Sequence, residues 1–146
     1  INDLISRNKS NIFLIETKAD ILLSYGYTNE AIKFYEKVFT ELPGNKYVQV
    51  RLISNIDVKS LNLKDVIKLF DNNLNIFYQY YNNKKILLKY LDMSKKLDKK
   101  EWIDFLEFWT SNNDHNNEKI LNKIENINFS KDKDLVKLLN IIKKNY

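Results

Sequence analysis

Residues 11–45 read NIFLIETKADILLSYGYTNEAIKFYEKVFTELPGN. Two amphipathic runs flank a single glycine. In the first, Phe13, Ile15, Ala19, Leu22 and Leu23 recur at helical spacing. Ser10 or Asn11 stands where a side-chain oxygen can cap the free N–H groups of the first turn. Gly26 ends this run, because glycine enters the left-handed conformation that terminates many helices. Thr28 is placed to cap the second run. There Ala31, Phe34, Tyr35, Val38 and Phe39 share one face, with Glu30, Lys33, Glu36 and Lys37 opposite. Pro43, which lacks an N–H donor, and Gly44 stop it. The segment therefore predicts a helix–turn–helix pair.

Gly26, Gly44 and Pro43 are also all the glycine and proline in the 146 residues. So few turn formers exclude a β-sandwich or barrel, and no glycine-rich loop can cradle a phosphate. The absence of cysteine removes disulfides, thiolate zinc sites and a thiol nucleophile. One histidine, His115 in a polar NDHNN stretch, supplies too few ligands for a closed zinc site. Neither a metal nor another cofactor is expected. Carboxylate pairs such as Asp104 and Glu107 have the spacing of ordinary helix surface and meet no positioned acid or base. Non-catalytic work is the expectation.

The chain carries 24 Lys and Arg against 19 Asp and Glu, a net charge of +5. Only Arg7 and Arg51 are arginines. The wealth of Lys, Asn, Ile, Tyr and Phe matches AT-rich codons, so part of the bias belongs to an AT-rich genome rather than to a function. Scarce arginine argues against nucleic-acid recognition, where its planar fork is preferred. No apolar run approaches the roughly 18 residues of a membrane span. The sequence opens at Ile1 with no signal-peptide pattern, and it reads as a fragment or processed form of something longer.

Downstream the helical pattern continues. Apolar stripes predict helices over about 46–57 (Val48, Leu52, Ile53, Ile56), 62–71 (Leu63, Val66, Ile67, Phe70) and 75–96, the last divisible at Asn82–Asn83. Trp102, Phe105, Leu106 and Trp109 mark a helix over 99–110 whose aromatic residues could anchor a partner, although their spacing more often means a core. A polar loop over 111–117 and two further helices, about 118–126 and 131–145, complete the chain; Ile1, Leu4 and Ile5 suggest a helix entering from upstream. The expected fold is all-α, an α-solenoid of about seven to nine antiparallel helices in one domain. Its repeat-like region covers residues 1–60, and degenerate repeats or a cap cover 61–146.

With Gly26 at the turn, Ile15, Ala19, Leu22, Ala31, Tyr35 and Pro43 fall in the register of a tetratricopeptide repeat, which the segment resembles. Val38 is larger than the alanine usual there, and Lys18 replaces a leucine. The string IETKADILLSYG also resembles the first helix of the C-terminal repeats in bacterial periplasmic zinc metallopeptidases of the HExxH class, although this sequence holds no HExxH.

The tetratricopeptide resemblance implies a concave face that holds a peptide or protein. Its positions are Phe13, Glu16, Asp20, Leu23 and Ser24 on one helix, and Tyr47, Val50, Arg51 and Ser54 on the next first helix. The competing reading packs Phe13, Leu23, Tyr47 and Val50 against neighbouring helices. The expected function is a partner-binding scaffold for a protein, a peptide or an upstream domain of the same chain. The metallopeptidase resemblance implies instead a periplasmic tail that presents substrates to an absent catalytic domain. A third reading takes Tyr78, Tyr80, Tyr81, Lys84, Lys85, Lys89 and Tyr90 as a platform that stacks bases and neutralises phosphates.

Overall fold

The computed structural model describes residues 11–111, 117–127 and 130–145. The opening apolar segment, Ser10, His115 and the middle of the polar loop lie outside them. The described residues form nine α-helices and no strand: α1 (Ile12–Ser24), α2 (Thr28–Glu41), α3 (Lys46–Asn55), α4 (Leu63–Asn72), α5 (Leu74–Tyr80), α6 (Lys84–Lys96), α7 (Lys100–Ser111), α8 (Asn117–Ile127) and α9 (Lys133–Lys144). A 3₁₀ turn covers Val58–Ser60. The fold is all-helical, with helices adjacent in sequence packed on one another: α1 on α2, α2 on α3, α6 on α7, α8 on α9. The chain divides into two compact units, Ile1–Asp57 and Val58–Tyr146.

Asparagine starts most of these helices. The Oδ1 atoms of Asn11, Asn45 and Asn62 accept from the N–H groups of Leu14, Val48 and Asp65 at 3.3, 3.3 and 2.8 Å. Asn83 does the same for Lys85 and Ile86, which breaks the 75–96 stretch into α5 and α6. Each such bond satisfies an N–H that has no partner within its helix. Thr28 differs from expectation. It is the first residue of α2, and Tyr27 takes the cap position without a side-chain bond.

The first unit is built on the α1–α2 pair. Ala19 and Ala31 are fully buried, one on each helix, and the absence of larger side chains there lets the backbones approach. Ile15, Tyr35, Val38 and Val48 complete the buried cluster, with Ile12, Leu22, Leu23, Phe34, Phe39 and Leu52 packed against it. The charged end of Lys18 lies 4.7 Å from the centre of the Phe34 ring. Gly26 sits at φ +86°. Around it Tyr27 N–H donates to Leu22 O at 2.9 Å and Gly26 N–H to Leu23 O at 3.1 Å, the paired bonds of a Schellman C-cap.

The second unit has an aromatic core. Phe77 stacks on Tyr90 with ring centres 4.2 Å apart, and Phe70 meets Trp102 edge-on at 5.0 Å. Trp102, Phe105 and Trp109 are buried, as their spacing predicts. The Trp102 indole N–H donates to Asp132 Oδ2 at 2.9 Å, while Asp132 Oδ1 caps α9 through Asp134 N–H and Leu135 N–H. Lys96 donates to the carbonyls of Val58, Lys59 and Leu61, which ties the 3₁₀ turn and the residue after it to α6. α6 ends in the same Schellman pattern as α1, with Lys99 N–H on Ser94 O and Asp98 N–H on Lys95 O. Here the left-handed position is held by Asp98, at φ 53°.

The two C-caps make opposite predictions. Gly26→Ala meets no atom within 4 Å, so its cost is purely conformational, about 1 kcal/mol. Asp98→Gly relieves the same conformational strain and stabilises by roughly 0.5–1 kcal/mol. Urea unfolding of both variants checks the pair of signs.

Candidate functional site

One polar network joins all three helices of the first unit. Asp20 on α1 is half-buried. Its Oδ1 accepts from the hydroxyl of Tyr35 on α2, and its Oδ2 accepts from the hydroxyl of Tyr47 on α3 at 3.1 Å. Arg51, one turn after Tyr47, donates through Nη2 to the Tyr47 oxygen at 3.1 Å and lies 5.0 Å from the centre of the Tyr47 ring. The Tyr47 hydroxyl thus donates to the carboxylate and accepts from the guanidinium.

The roles of the two tyrosines differ. Tyr35 is fully buried, so its hydroxyl needs a partner inside the protein. Burial, then the bond to Asp20, pushes its pKa well above the usual tyrosine value. Tyr47 is 44% exposed and shows part of its ring to solvent. The hydrogen bond from Arg51 to Tyr47 favours the charged guanidinium.

Three of the nine residues assigned to a concave face, Asp20, Tyr47 and Arg51, are therefore in direct contact. Phe13, two turns before Asp20 on α1, is 73% exposed. Glu16 lies between them and is half-buried. Leu23 packs against the core of the unit. The Ser24 hydroxyl donates to Ile21 O at 2.7 Å, a bond local to the end of α1. Val50 and Ser54 are half-buried on α3. Tyr35 belongs to the network although its register marks only an aromatic packing position. Its separation of 15 residues from Asp20 gives no local pattern to read.

The tyrosine–lysine platform of the second unit is dismantled by burial. Tyr90 and Tyr81 are core residues. The Tyr90 hydroxyl donates to Phe70 O at 2.8 Å, and the Tyr81 oxygen accepts from Asn145 Nδ2 at 2.8 Å. Tyr78 is half-buried and bonded to Asp134 O at 3.1 Å, with Lys137 over its ring. Burial and the nearby carboxylates of Asp134 and Asp132 push its pKa up to about 12. Tyr80, 38% exposed, is the most open of the four. Among the described residues no His, Cys, Asp and Glu group is arranged to hold a metal. No helix among them is long and apolar enough to cross a membrane.

No protein-family model, no characterised protein and no solved structure matches this chain.

The network makes a stability prediction. Tyr35→Phe removes a donor to a half-buried carboxylate and costs about 2 kcal/mol. Tyr35, Tyr78 and Tyr90 all have folded pKa values above the unfolded value near 10. In that range the folded chain holds more protons than the unfolded one. The stability they contribute is complete below pH 10 and is lost as pH rises beyond it. Thermal midpoints measured from pH 8 to 12 should fall above pH 10, less steeply in Tyr35→Phe.

Proposed function

We propose that the chain is a non-catalytic helical-repeat domain that binds a segment of a partner protein, or a further domain of its own chain, along the face carried by α1 and α3. The observation that carries this reading is the Asp20–Tyr47–Arg51 chain of contacts. It holds two charged groups and an exposed ring in fixed geometry at the surface, instead of leaving them as separate flexible side chains. Ordering such groups in advance lowers the entropy lost when a partner arrives. Aromatic and arginine side chains are also the types that most often anchor an interface. Phe13 and Tyr47 supply the apolar area, and Asp20 and Arg51 set the orientation.

The tetratricopeptide resemblance supports the same reading, because the buried alanines 19 and 31 and the turn at Gly26 belong to its register. A scaffold also agrees with the chemistry available. The site consists of hydrogen-bonding and stacking groups, the kinds that hold a partner in a set orientation.

A pull-down with chemical crosslinking tests the proposal. Asp20→Lys with Arg51→Glu reverses both charges, and Phe13→Asp removes the exposed ring. Phe13→Asp should lose the partners captured by the unaltered chain while keeping its helical circular dichroism and its stability, and the charge reversal should lose them with some loss of stability, because Asp20 also serves Tyr35. Capture that is unchanged in both overturns the proposal.

A further inference from the structure

We infer that the α1–α3 face selects a peptide bearing a lysine or arginine, whose cationic end pairs with Glu16 while its aliphatic stem lies along Phe13. The inference rests on the binding reading above and adds the class of ligand.

The argument is one of charge and place. Asp20 is served by two tyrosine hydroxyls and faces the Arg51 side of the network. Glu16, one turn earlier on the same side of α1, has no such company. Among the described residues no cation and no hydrogen-bond donor meets its carboxylate, although the residue is half-buried. Side chains three and four apart on a helix are neighbours, about 5–6 Å between Cβ atoms. Phe13 and Asp20 therefore flank Glu16 on either side. Among the described residues, Glu16 is thus a negative charge without a counter-ion, placed between an exposed ring and a polar network whose carboxylate is already served.

A long cationic side chain fits both elements. It supplies the missing charge, and its methylene stem covers aromatic surface while the head stays polar. A cation over a ring gains further attraction. The Tyr47 ring already carries Arg51, which leaves the Phe13 end for the guest. Polyanions are disfavoured beside Glu16, because its carboxylate repels phosphate.

Panning a random linear peptide library on phage against the whole chain tests this. Selected peptides that lose binding to Phe13→Asp should carry lysine or arginine at one recurrent position. By fluorescence anisotropy, Glu16→Lys should weaken a synthetic peptide of this kind at least tenfold, and Glu16→Gln should weaken it measurably. A peptide with glutamate at the recurrent position should bind Glu16→Lys more tightly than it binds the unaltered chain. Peptides sensitive to Phe13→Asp but without a basic position, or indifferent to both Glu16 variants, overturn this inference and leave the binding reading standing. If no selected peptide is sensitive to Phe13→Asp, both are overturned.

Discussion

A half-buried carboxylate is costly unless donors replace the water it gives up. Asp20 meets that requirement with hydroxyls from two other helices. Because those donors sit on α2 and α3, satisfying one charge on α1 fixes the relative placement of all three. The constraint is reciprocal. Tyr35 has its ring in the core and cannot leave its hydroxyl unpaired, and Asp20 is the acceptor it finds. Tyr47 extends the same chain to the surface, where Arg51 balances the charge. The first unit therefore uses one set of bonds both to align its helices and to order the face on which binding is proposed.

The second unit solves its packing differently. Its centre is a set of aromatic rings, and its polar side chains serve termini and turns. Asp132 divides its two oxygens between the Trp102 indole and the start of α9. Lys96 gathers three backbone carbonyls beside the 3₁₀ turn. Polar groups used in this way lock loops to helices. The burial of Tyr81 and Tyr90 follows the same logic, since aromatic rings are the main filling of this core.

Much of the helical layout was legible in the sequence. Short amphipathic stripes and Asn caps act within one or two turns, so Asn11, Gly26 and the break before Lys84 could be read locally. The Trp102–Trp109 face was legible for the same reason. Three features were not. Asp98 takes a left-handed conformation that points to glycine when read from sequence, and only the Schellman bonds around it explain the site. The tyrosine-rich stretch from 78 to 90 resembles an exposed platform until tertiary contacts bury half of it. The Asp20–Tyr35 bond spans two helices and depends on their packing angle, which no periodicity encodes. Of the candidate site, the positions of Asp20, Tyr47 and Arg51 came from the repeat register, whereas their connection came from the fold.

The most direct measurement is a double-mutant cycle on Asp20→Asn and Tyr47→Phe, read by urea unfolding. The two residues are 27 apart in sequence and meet only if α1 and α3 are held as described. A coupling energy of about 1 kcal/mol or more is predicted for this charge-assisted bond. Additive effects, within about 0.3 kcal/mol, would contradict the account, because Asp20 would then not be the group that joins these helices and orders their shared face.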